Sequence, residues 1–317
     1  MSRKVKISTI QLPAWKEGES PNEAKKNNVR RIIEMLSIAG ERESDIAVFG
    51  EIANIINLPF TKETMIKYAD EVPGPLTKKI CQIAREYSMN IIAPIMGWCN
   101  GKLRNVALII NREGDIQGRY YKVHLPRPES DVGVIAGDEF TVTELDFGKV
   151  GVIICMDIEY PESVISLMLK GAEIIFFPHV QSGWGEIDWE IRYRARAIDT
   201  GLYLVSASYG IKDTDQWRPG MMLGRSGIIG PDGAILAEAS RYAEVLTREI
   251  NLDRKRITNF HFGGNNLCER TLAVLASRKP ETYGELVKTE YRDRALKKAL
   301  SYIKFLKKKI AVEKNCD

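Results

Sequence analysis

Apolar residues follow two patterns along the chain, and each predicts one kind of element. Short runs rich in β-branched residues are typical of buried strands, whereas apolar residues every three or four positions are typical of amphipathic helices. Strands are predicted at residues 5–12, 45–51, 90–96, 105–111, 116–122, 150–154, 172–177, 202–208, 226–237 (a hairpin) and, as the last, 244–251. Helices are predicted at residues 21–40, from 75 onward, at 161–170 and at 186–200, while the mixed pattern of 61–71 supports no assignment.

The connections between these elements predict the fold class. Some strands are joined by helices, and others by tight turns such as residues 112–115 and 230–233. This combination predicts an α/β protein in which mixed β-sheets pack face to face with helices outside. No internal repeat, low-complexity segment or linker interrupts the pattern, so one domain is expected over residues 1–280.

The composition changes after residue 285, where Lys and Arg dominate and apolar residues stand at positions 296, 300, 303 and 310. This pattern predicts a basic amphipathic extension over residues 281–317, which packs on the domain or on a partner subunit. A nucleic-acid-binding arm is the alternative, but acidic residues interleave with the basic ones as far as residue 293.

The overall composition, 44% apolar and 28% charged, describes a soluble globular protein. A net charge of +4 is small for 317 residues and gives no argument for a nucleic-acid partner. The five cysteines are odd in number and form no CxxC pair, which argues against a disulfide framework or a thiolate zinc site. No apolar run approaches the roughly 18 residues of a membrane span, and no signal-like segment precedes the first strand. We therefore expect a cytoplasmic protein with no membrane partner.

Three predicted strands end in side chains of complementary chemistry: Glu51, Lys122 and Cys155. Cys155 lies between the apolar run 150–154 and Pro161, so a strand, a sharp turn and a helix are expected around it. Backbone N–H groups at a helix start favour a thiolate and can bind an oxyanion. A carboxylate can accept the thiol proton, and a lysine can stabilise the oxyanion that forms when the thiol attacks a carbonyl. Each residue alone also has a structural explanation, as a buried thiol or a solvated charge.

The segments around these residues resemble, in the same order, the three signature segments of the nitrilase (carbon–nitrogen hydrolase) superfamily. They read Phe-Gly-Glu51, Arg-Tyr-Tyr-Lys122-Val-His-Leu and Val-Gly-Val-Ile-Ile-Cys155-Met-Asp-Ile-Glu-Tyr-Pro-Glu162. The resemblance covers nearly the whole chain and favours the amidase and N-carbamoyl amidohydrolase-like branch. One departure is Gly50, because members often carry proline before the glutamate.

The resemblance implies a four-layer αββα sandwich with Cys155 as nucleophile, Glu51 as general base and acid, and Lys122 as the partner of the oxyanion. Glu129 lies seven residues beyond the lysine and matches a second glutamate that orients the substrate and braces the lysine. The backbone N–H of Met156 would be the second oxyanion donor. No metal or organic cofactor is implied.

The three histidines offer the alternative of a Cys–His mechanism, which is disfavoured. His124 shares the lysine segment, where a structural role beside the site is expected. His179 follows a predicted strand and is a possible pocket residue, as is Trp184. His261 has no chemical partner apparent in the sequence.

Glu159 limits the choice of substrate. Some family members that hydrolyse N-carbamoyl amino acids carry arginine four residues after the cysteine, which suits a substrate carboxylate. Glutamate at this position disfavours an anionic N-carbamoyl amino acid unless Arg192, Arg194 or another arginine substitutes. As a possible pocket residue, Glu159 could instead bind a substrate amine, as in a carbamoyl-polyamine, or form a structural salt bridge.

The expected function is hydrolysis of a non-peptide C–N bond in a small linear amide or N-carbamoyl compound. The reaction would pass through a thioester acyl-enzyme and release ammonia or an amine. Nitrile hydrolysis is the alternative, acyl transfer to an amine is a further option, and a non-catalytic binding protein of the same fold is the hypothesis of a different class. The expected partners are a small amide, carbamoyl or nitrile substrate and further copies of the chain, in a homodimer or larger homo-oligomer.

Overall fold

The structure is a computed structural model that describes residues 2–14, 20–182, 185–255, 257–259 and 267–313. Its strands are β1 (Lys4–Pro13), β2 (Ile46–Phe49), β3 (Asp70–Glu71), β4 (Asn90–Cys99), β5 (Lys102–Ile110), β6 (Ile116–Tyr121), β7 (Val142–Leu145), β8 (Gly148–Val152), β9 (Ile174–Pro178), β10 (Tyr203–Ala207), β11 (Tyr209–Gly210), β12 (Gly227–Ile229), β13 (Ile235–Glu238), β14 (Glu244–Asn251), β15 (Ile257–Asn259) and β16 (Leu267–Glu269). Its α-helices are α1 (Pro21–Glu41), α2 (Lys62–Tyr68), α3 (Pro75–Glu86), α4 (Arg127–Asp131), α5 (Pro161–Leu169), α6 (Arg194–Thr200), α7 (Arg270–Ser277) and α8 (Thr289–Glu313). Short 3-10 turns span Cys155–Glu159, Pro280–Thr282 and Gly284–Val287, and a π-helical segment spans Asp188–Tyr193.

Two large mixed sheets carry the fold, as the sequence predicts. The first has the order β11–β1–β2–β4–β5–β6, with β14 antiparallel to β1 and β3 parallel to β4. The second has the order β13–β12–β10–β9–β8–β7. In both sheets the central strands joined by helices are parallel, and the strands joined by tight turns are antiparallel. The predicted hairpin within residues 226–237 is the antiparallel pair β12–β13.

Because side chains alternate along a strand, neighbouring residues enter two different cores. One core lies between the two sheets, and the other lies between a sheet and its helices. In β4, Ile91 packs in the core formed with α1 and α3, whereas Ile92 packs in the core that the two sheets share. On the far side, Gly151 of β8 faces α5 so closely that a Cβ atom there would lie 2.8 Å from Cδ1 of Leu167. Helices therefore cover the outer face of each sheet, and the predicted four-layer αββα sandwich is confirmed.

Local sequence signals explain where α1 begins. Ser20 accepts a hydrogen bond from the N–H of Glu23, and the Glu23 carboxylate accepts one in return from the backbone N–H of Ser20. Pro21 occupies the first turn, where its missing N–H costs nothing.

Several elements differ from the prediction. The unassigned segment 61–71 contains α2 and β3, and α4 and β7 had no prediction at all. The helix expected at 186–200 is a π-helical segment followed by α6. The expectation that β14 is the last strand is wrong, because β15 and β16 follow it as an antiparallel pair. These missed elements are short, and periodicity is a weak signal over so few residues.

The chain separates into two compact units, one up to Ala273 and one from Val274 onward. The second unit contains the 3-10 turns Pro280–Thr282 and Gly284–Val287 and the long helix α8. Its packing on the domain or on a partner subunit stays a prediction. Within the described residues, no helix is both long and apolar enough to cross a membrane.

Candidate active site

The structure brings together the three strand-end residues that the sequence singles out. Glu51 follows β2 and Lys122 follows β6, both in the first sheet, and Lys122 Nζ lies 2.7 Å from Glu51 Oε1. Cys155 follows β8 of the second sheet, and its Sγ lies 3.7 Å from the carbonyl oxygen of Val180. The N–H of Val180 in turn donates to Glu51 Oε2 at 3.1 Å. The backbone of Val180 thus links Cys155 to Glu51 through two hydrogen bonds.

Two further residues complete a ring of hydrogen bonds around Lys122. Its ammonium also contacts Glu129 Oε1 at 2.5 Å. The side-chain amide of Asn105 donates to Glu51 Oε1 at 2.7 Å and to Glu129 Oε2 at 3.2 Å. All four side chains are buried. Two donors therefore join the same two carboxyl groups in a site that is largely closed to water.

Burial and charge act against each other on the ionisable groups of this ring. Burial by itself lowers the pKa of Lys122, but the negative charges of Glu51 and Glu129 outweigh it, so the pKa is raised and the lysine stays an ammonium. Burial raises the pKa of Glu129 to about 7, and the charge of Glu51 adds to the effect. Hydrogen bonds from Lys122 and Asn105 act in the opposite direction.

Cys155 occupies a strained elbow between β8 and the 3-10 turn Cys155–Glu159. Its φ is +47°, in the left-handed region that non-glycine residues rarely adopt. The turn that it begins leaves its first backbone N–H groups, including that of Met156, without acceptors inside the turn. The predicted sharp turn is therefore present at Cys155.

Burial opposes the thiolate that helix-terminal N–H groups would favour at Cys155. Burial of the thiol raises its pKa well above the usual value, and the charge of Glu51 raises it further. Lys122 and the Val180 hydrogen bond lower the pKa, but by less. The resting residue is therefore a neutral thiol, which needs a base to become a nucleophile.

The side chain of Asp157 fixes the elbow at Cys155 through hydrogen bonds. Its fully buried carboxylate accepts hydrogen bonds from the N–H of Ile154 at 2.9 Å and from the hydroxyl of Tyr120 at 2.6 Å. It also accepts from the N–H of His124 at 2.9 Å and contacts His124 Nδ1 at 2.8 Å. The His124 ring stacks on Tyr160, with ring centroids 3.8 Å apart. His124 therefore has the structural contacts that the sequence suggests.

The predicted pocket residues have different outcomes. His179 is fully buried and stacks on Phe177 with ring centroids 4.7 Å apart, so it does not line an open pocket. Burial lowers the pKa of His179 to about 3, which keeps the ring neutral, and neither ring nitrogen has a partner among the described residues. Glu159 is half exposed and lies 4.0 Å from Arg192 Nη1. Trp184, like His261, lies outside the described residues.

Asn105, Val180 and Tyr209 were not singled out from the sequence. Val180 acts through its backbone, which no side-chain pattern reveals, and Tyr209 reaches the site from a different strand by donating to the backbone carbonyl of Glu51 at 2.6 Å. Asn105 did carry a signal, since a polar residue inside an apolar strand needs buried partners. Among the described residues, no group of three or more His, Cys, Asp or Glu side chains is placed to hold a metal ion.

A four-layer sandwich whose strand ends gather a cysteine, a lysine and glutamates is the arrangement of the nitrilase-type proteins. The chain belongs to the carbon–nitrogen hydrolase family, whose profile matches residues 6–259. The resemblance seen in the sequence is thereby confirmed. Glu51, Lys122 and Cys155 all lie inside the matched region.

Individual relatives are similar to the chain in sequence or in fold. The chain is 28% identical to the omega-amidase NIT2 of Xenopus tropicalis over 239 residues, which cover 72% of this chain and 84% of the relative. Its fold is similar to that of Nit3 of Saccharomyces cerevisiae, with a TM-score of 0.66, 24% identity and coverage of 78% and 90% of the two chains. It is also similar to an amidase of Nesterenkonia AN1, with a TM-score of 0.71, 17% identity and coverage of 90% and 98%.

Proposed function

We propose that this protein is a cysteine-dependent amidohydrolase that cleaves the C–N bond of a small linear amide through a thioester acyl-enzyme. The observation that carries the proposal is the linkage of Cys155 to Glu51 through Val180, with Lys122 bound to the same glutamate. A neutral thiol, a buried carboxylate and an ammonium are the three groups that acyl transfer to sulfur requires.

In the proposed first half-reaction, Glu51 takes the thiol proton as Cys155 Sγ attacks the carbonyl carbon. The Lys122 ammonium and the N–H of Met156 stabilise the oxyanion of the tetrahedral intermediate. The C–N bond then breaks, and the leaving nitrogen takes the proton from Glu51, which gives ammonia or an amine. Glu129 holds Lys122 in place throughout, in accordance with its 2.5 Å contact.

In the second half-reaction, a water molecule attacks the thioester while Glu51 accepts one of its protons. The C–S bond breaks, the acid leaves, and the proton returns to the sulfur. The sum is amide plus water giving acid plus ammonia or amine. No oxidant, reductant or cofactor enters this balance.

The substrate proposal is a small linear amide, with N-carbamoyl compounds next. The Xenopus relative is named as an omega-amidase, which supports the amide. Glu159 lies four residues after Cys155, and its half-exposed carboxylate disfavours a substrate whose own carboxylate would approach it. Arg192 pairs with Glu159 but also with Asp188, at 3.0 Å, so it is not a free cation for a substrate anion.

Ammonia release from simple amides, N-carbamoyl amino acids, carbamoyl amines and nitriles tests the proposal. We expect turnover of at least one amide, its loss in Cys155→Ala, and its retention in Cys81→Ala, where a half-buried thiol on α3 is removed instead. Turnover of nitriles alone would favour the nitrilase alternative. If no compound releases ammonia and Cys155 resists alkylation, the protein is a binding module.

The other proposals concern assembly and location. The assembly proposal is a homodimer or larger homo-oligomer in which the C-terminal extension packs on the domain or on a partner subunit. Light scattering of the full chain and of a chain that ends at residue 280 tests it. Cytoplasmic location is tested by cell fractionation.

A further inference from the structure

We propose that Asn105 is a positioning residue, whose side-chain amide holds the carboxylates of Glu51 and Glu129 in their relative positions while Lys122 engages the substrate. The inference rests on the proposed function. The side chain lies in the interior of β5 and is 1% exposed. Its Nδ2 reaches one oxygen of each glutamate, at 2.7 Å and 3.2 Å.

The contacts of Asn105 use only its donors. The amide nitrogen donates to an oxygen of each glutamate, and Oδ1 is buried without a partner among the described residues. An orphaned buried carbonyl is costly, so the contacts to the carboxylates must outweigh it. A hydrogen bond that ends on a charged group is stronger than a neutral one. The amide therefore serves as a neutral donor placed between two acids.

Asn105 and Lys122 each donate hydrogen bonds to both Glu51 and Glu129. Lys122 joins Oε1 of both, and Asn105 joins Glu51 Oε1 to Glu129 Oε2. The backbone carbonyl of Asn105 also accepts the N–H of Lys122 at 3.0 Å, which fixes the start of the lysine segment. When the ammonium shares its charge with the oxyanion, its hold on the glutamates weakens, and the amide is the donor that remains between them.

The charged and titratable groups that face this amide come from several elements. Glu51 lies after β2, Lys122 after β6 and Glu129 in α4, and Cys155 lies across the site after β8. With the lysine charged and both carboxyls ionised, the ring carries one excess negative charge in a buried space. Each donor that reaches a carboxylate therefore offsets part of this excess negative charge.

The test compares Asn105→Leu with Asn90→Leu. Asn90 is a matched control, because it is equally buried in the neighbouring strand β4, also has an orphaned Oδ1, and donates to the carboxylate of Asp146 outside the site. Asn105→Leu should lower kcat about 10- to 100-fold with little change in KM. It should also move the acid limb of the kcat/KM profile to higher pH by about one unit, since the carboxylates lose a donor. Asn90→Leu should lower the melting temperature without moving that limb.

A second variant, Asn105→Asp, should shift the pH profile of activity in the opposite direction. The new carboxyl can donate one hydrogen bond while it is protonated, and it repels both glutamates once it ionises. Activity should therefore survive best on the acid side, with the alkaline limb moved to lower pH. A role in stability alone predicts that both variants lose activity in proportion to their loss of melting temperature, with unshifted profiles. That result would overturn the proposal.

Alkylation of Cys155 by iodoacetamide, followed by peptide mass spectrometry, gives a readout that needs no turnover. Its pH profile should move in Asn105→Leu and stay unchanged in Asn90→Leu. If the wild-type chain hydrolyses no amide but this profile moves, the proposed function fails and the positioning role stands. If amides are hydrolysed and neither profile moves, the positioning role fails and the function stands.

Discussion

The ring of Tyr209 fills the space beside Gly50, so that a Cβ atom at that glycine would lie only 2.5 Å from Cε2 of the ring. The same tyrosine donates its hydroxyl to the backbone carbonyl of Glu51 at 2.6 Å. The glycine before Glu51, where family members often carry proline, is therefore matched to a fully buried tyrosine on β11. The backbone of Glu51 is therefore held by a hydrogen bond from Tyr209 and by the packing of its ring against Gly50.

Gly50→Ala should destabilise the protein, because the new methyl group forces Tyr209 or the Glu51 backbone to move. Overpacking of this kind costs about 1–3 kcal/mol, and the displaced base should also lower kcat. Urea denaturation and amide turnover measure the two effects. Gly284→Ala is the control, since a Cβ atom there meets no heavy atom within 4 Å. Equal stability of the two variants would contradict the role assigned to Tyr209.

The left-handed backbone of Cys155 should reverse the usual order of alanine and glycine. At φ +47° an L-residue is strained, so Cys155→Gly should be more stable than Cys155→Ala by about 1 kcal/mol. Cys81 lies within α3, where Cys81→Gly should be less stable than Cys81→Ala by about the same amount. Chemical denaturation of the four variants checks the reversal. The same order at both sites would show that the elbow is not strained.

Glu129 should give the protein a pH-dependent stability of known sign. Its folded pKa of about 7 lies above the ordinary value of 4.5, so the folded state binds the proton more tightly. Stability should fall as the pH rises from about 4.5 to about 7 and then level off. Glu129→Gln cannot lose a proton, so over that window its stability relative to wild type should rise by at most about 3 kcal/mol.

Denaturation curves recorded between about pH 4.5 and pH 8 test this prediction. The control is Glu249→Gln, which removes a half-exposed carboxylate paired with Lys4 on the surface. Loss of this surface ion pair should change the stability by no more than about 1 kcal/mol over the measured range. Parallel curves for Glu129→Gln and the wild type would mean that this carboxyl is ionised as easily in the fold as in the unfolded chain.

The sequence predicts most of the scaffold and the three strand-end residues for one physical reason. Runs such as residues 150–154 are apolar on both faces, so only a buried strand suits them, and such strands position their final side chains. The short elements α2 and α4 escaped prediction because five to seven residues hold too little periodicity. The raised pKa of Cys155 could not be predicted from the sequence, since it depends on burial and on a charge contributed by the other sheet. The role proposed for Asn105 could not be predicted from the sequence, because it depends on the two carboxylates that the fold places beside its amide.

The final prediction concerns the buried carboxylate of Asp157, which meets donors on both of its oxygens. Oδ2 accepts from the hydroxyl of Tyr120 and the N–H of Ile154, and Oδ1 accepts from the N–H of His124 and contacts its ring. In Asp157→Asn one oxygen becomes an NH₂ group that faces these donors. We expect a loss of about 3 kcal/mol, because buried donors lose their acceptor, whereas Tyr120→Phe should cost about half as much.

Asp157→Asn should also reduce turnover more than its stability loss explains. The carboxylate holds the residue before Cys155 and, through His124, the segment that follows Lys122, so both groups should lose alignment together. Turnover measured well below the unfolding transition separates this effect from loss of folded protein. Asp293→Asn, at an exposed acid of α8, should change neither property. Full turnover in Asp157→Asn would mean that the elbow keeps its geometry without this carboxylate, and that the strained backbone of Cys155 is held by strand packing alone.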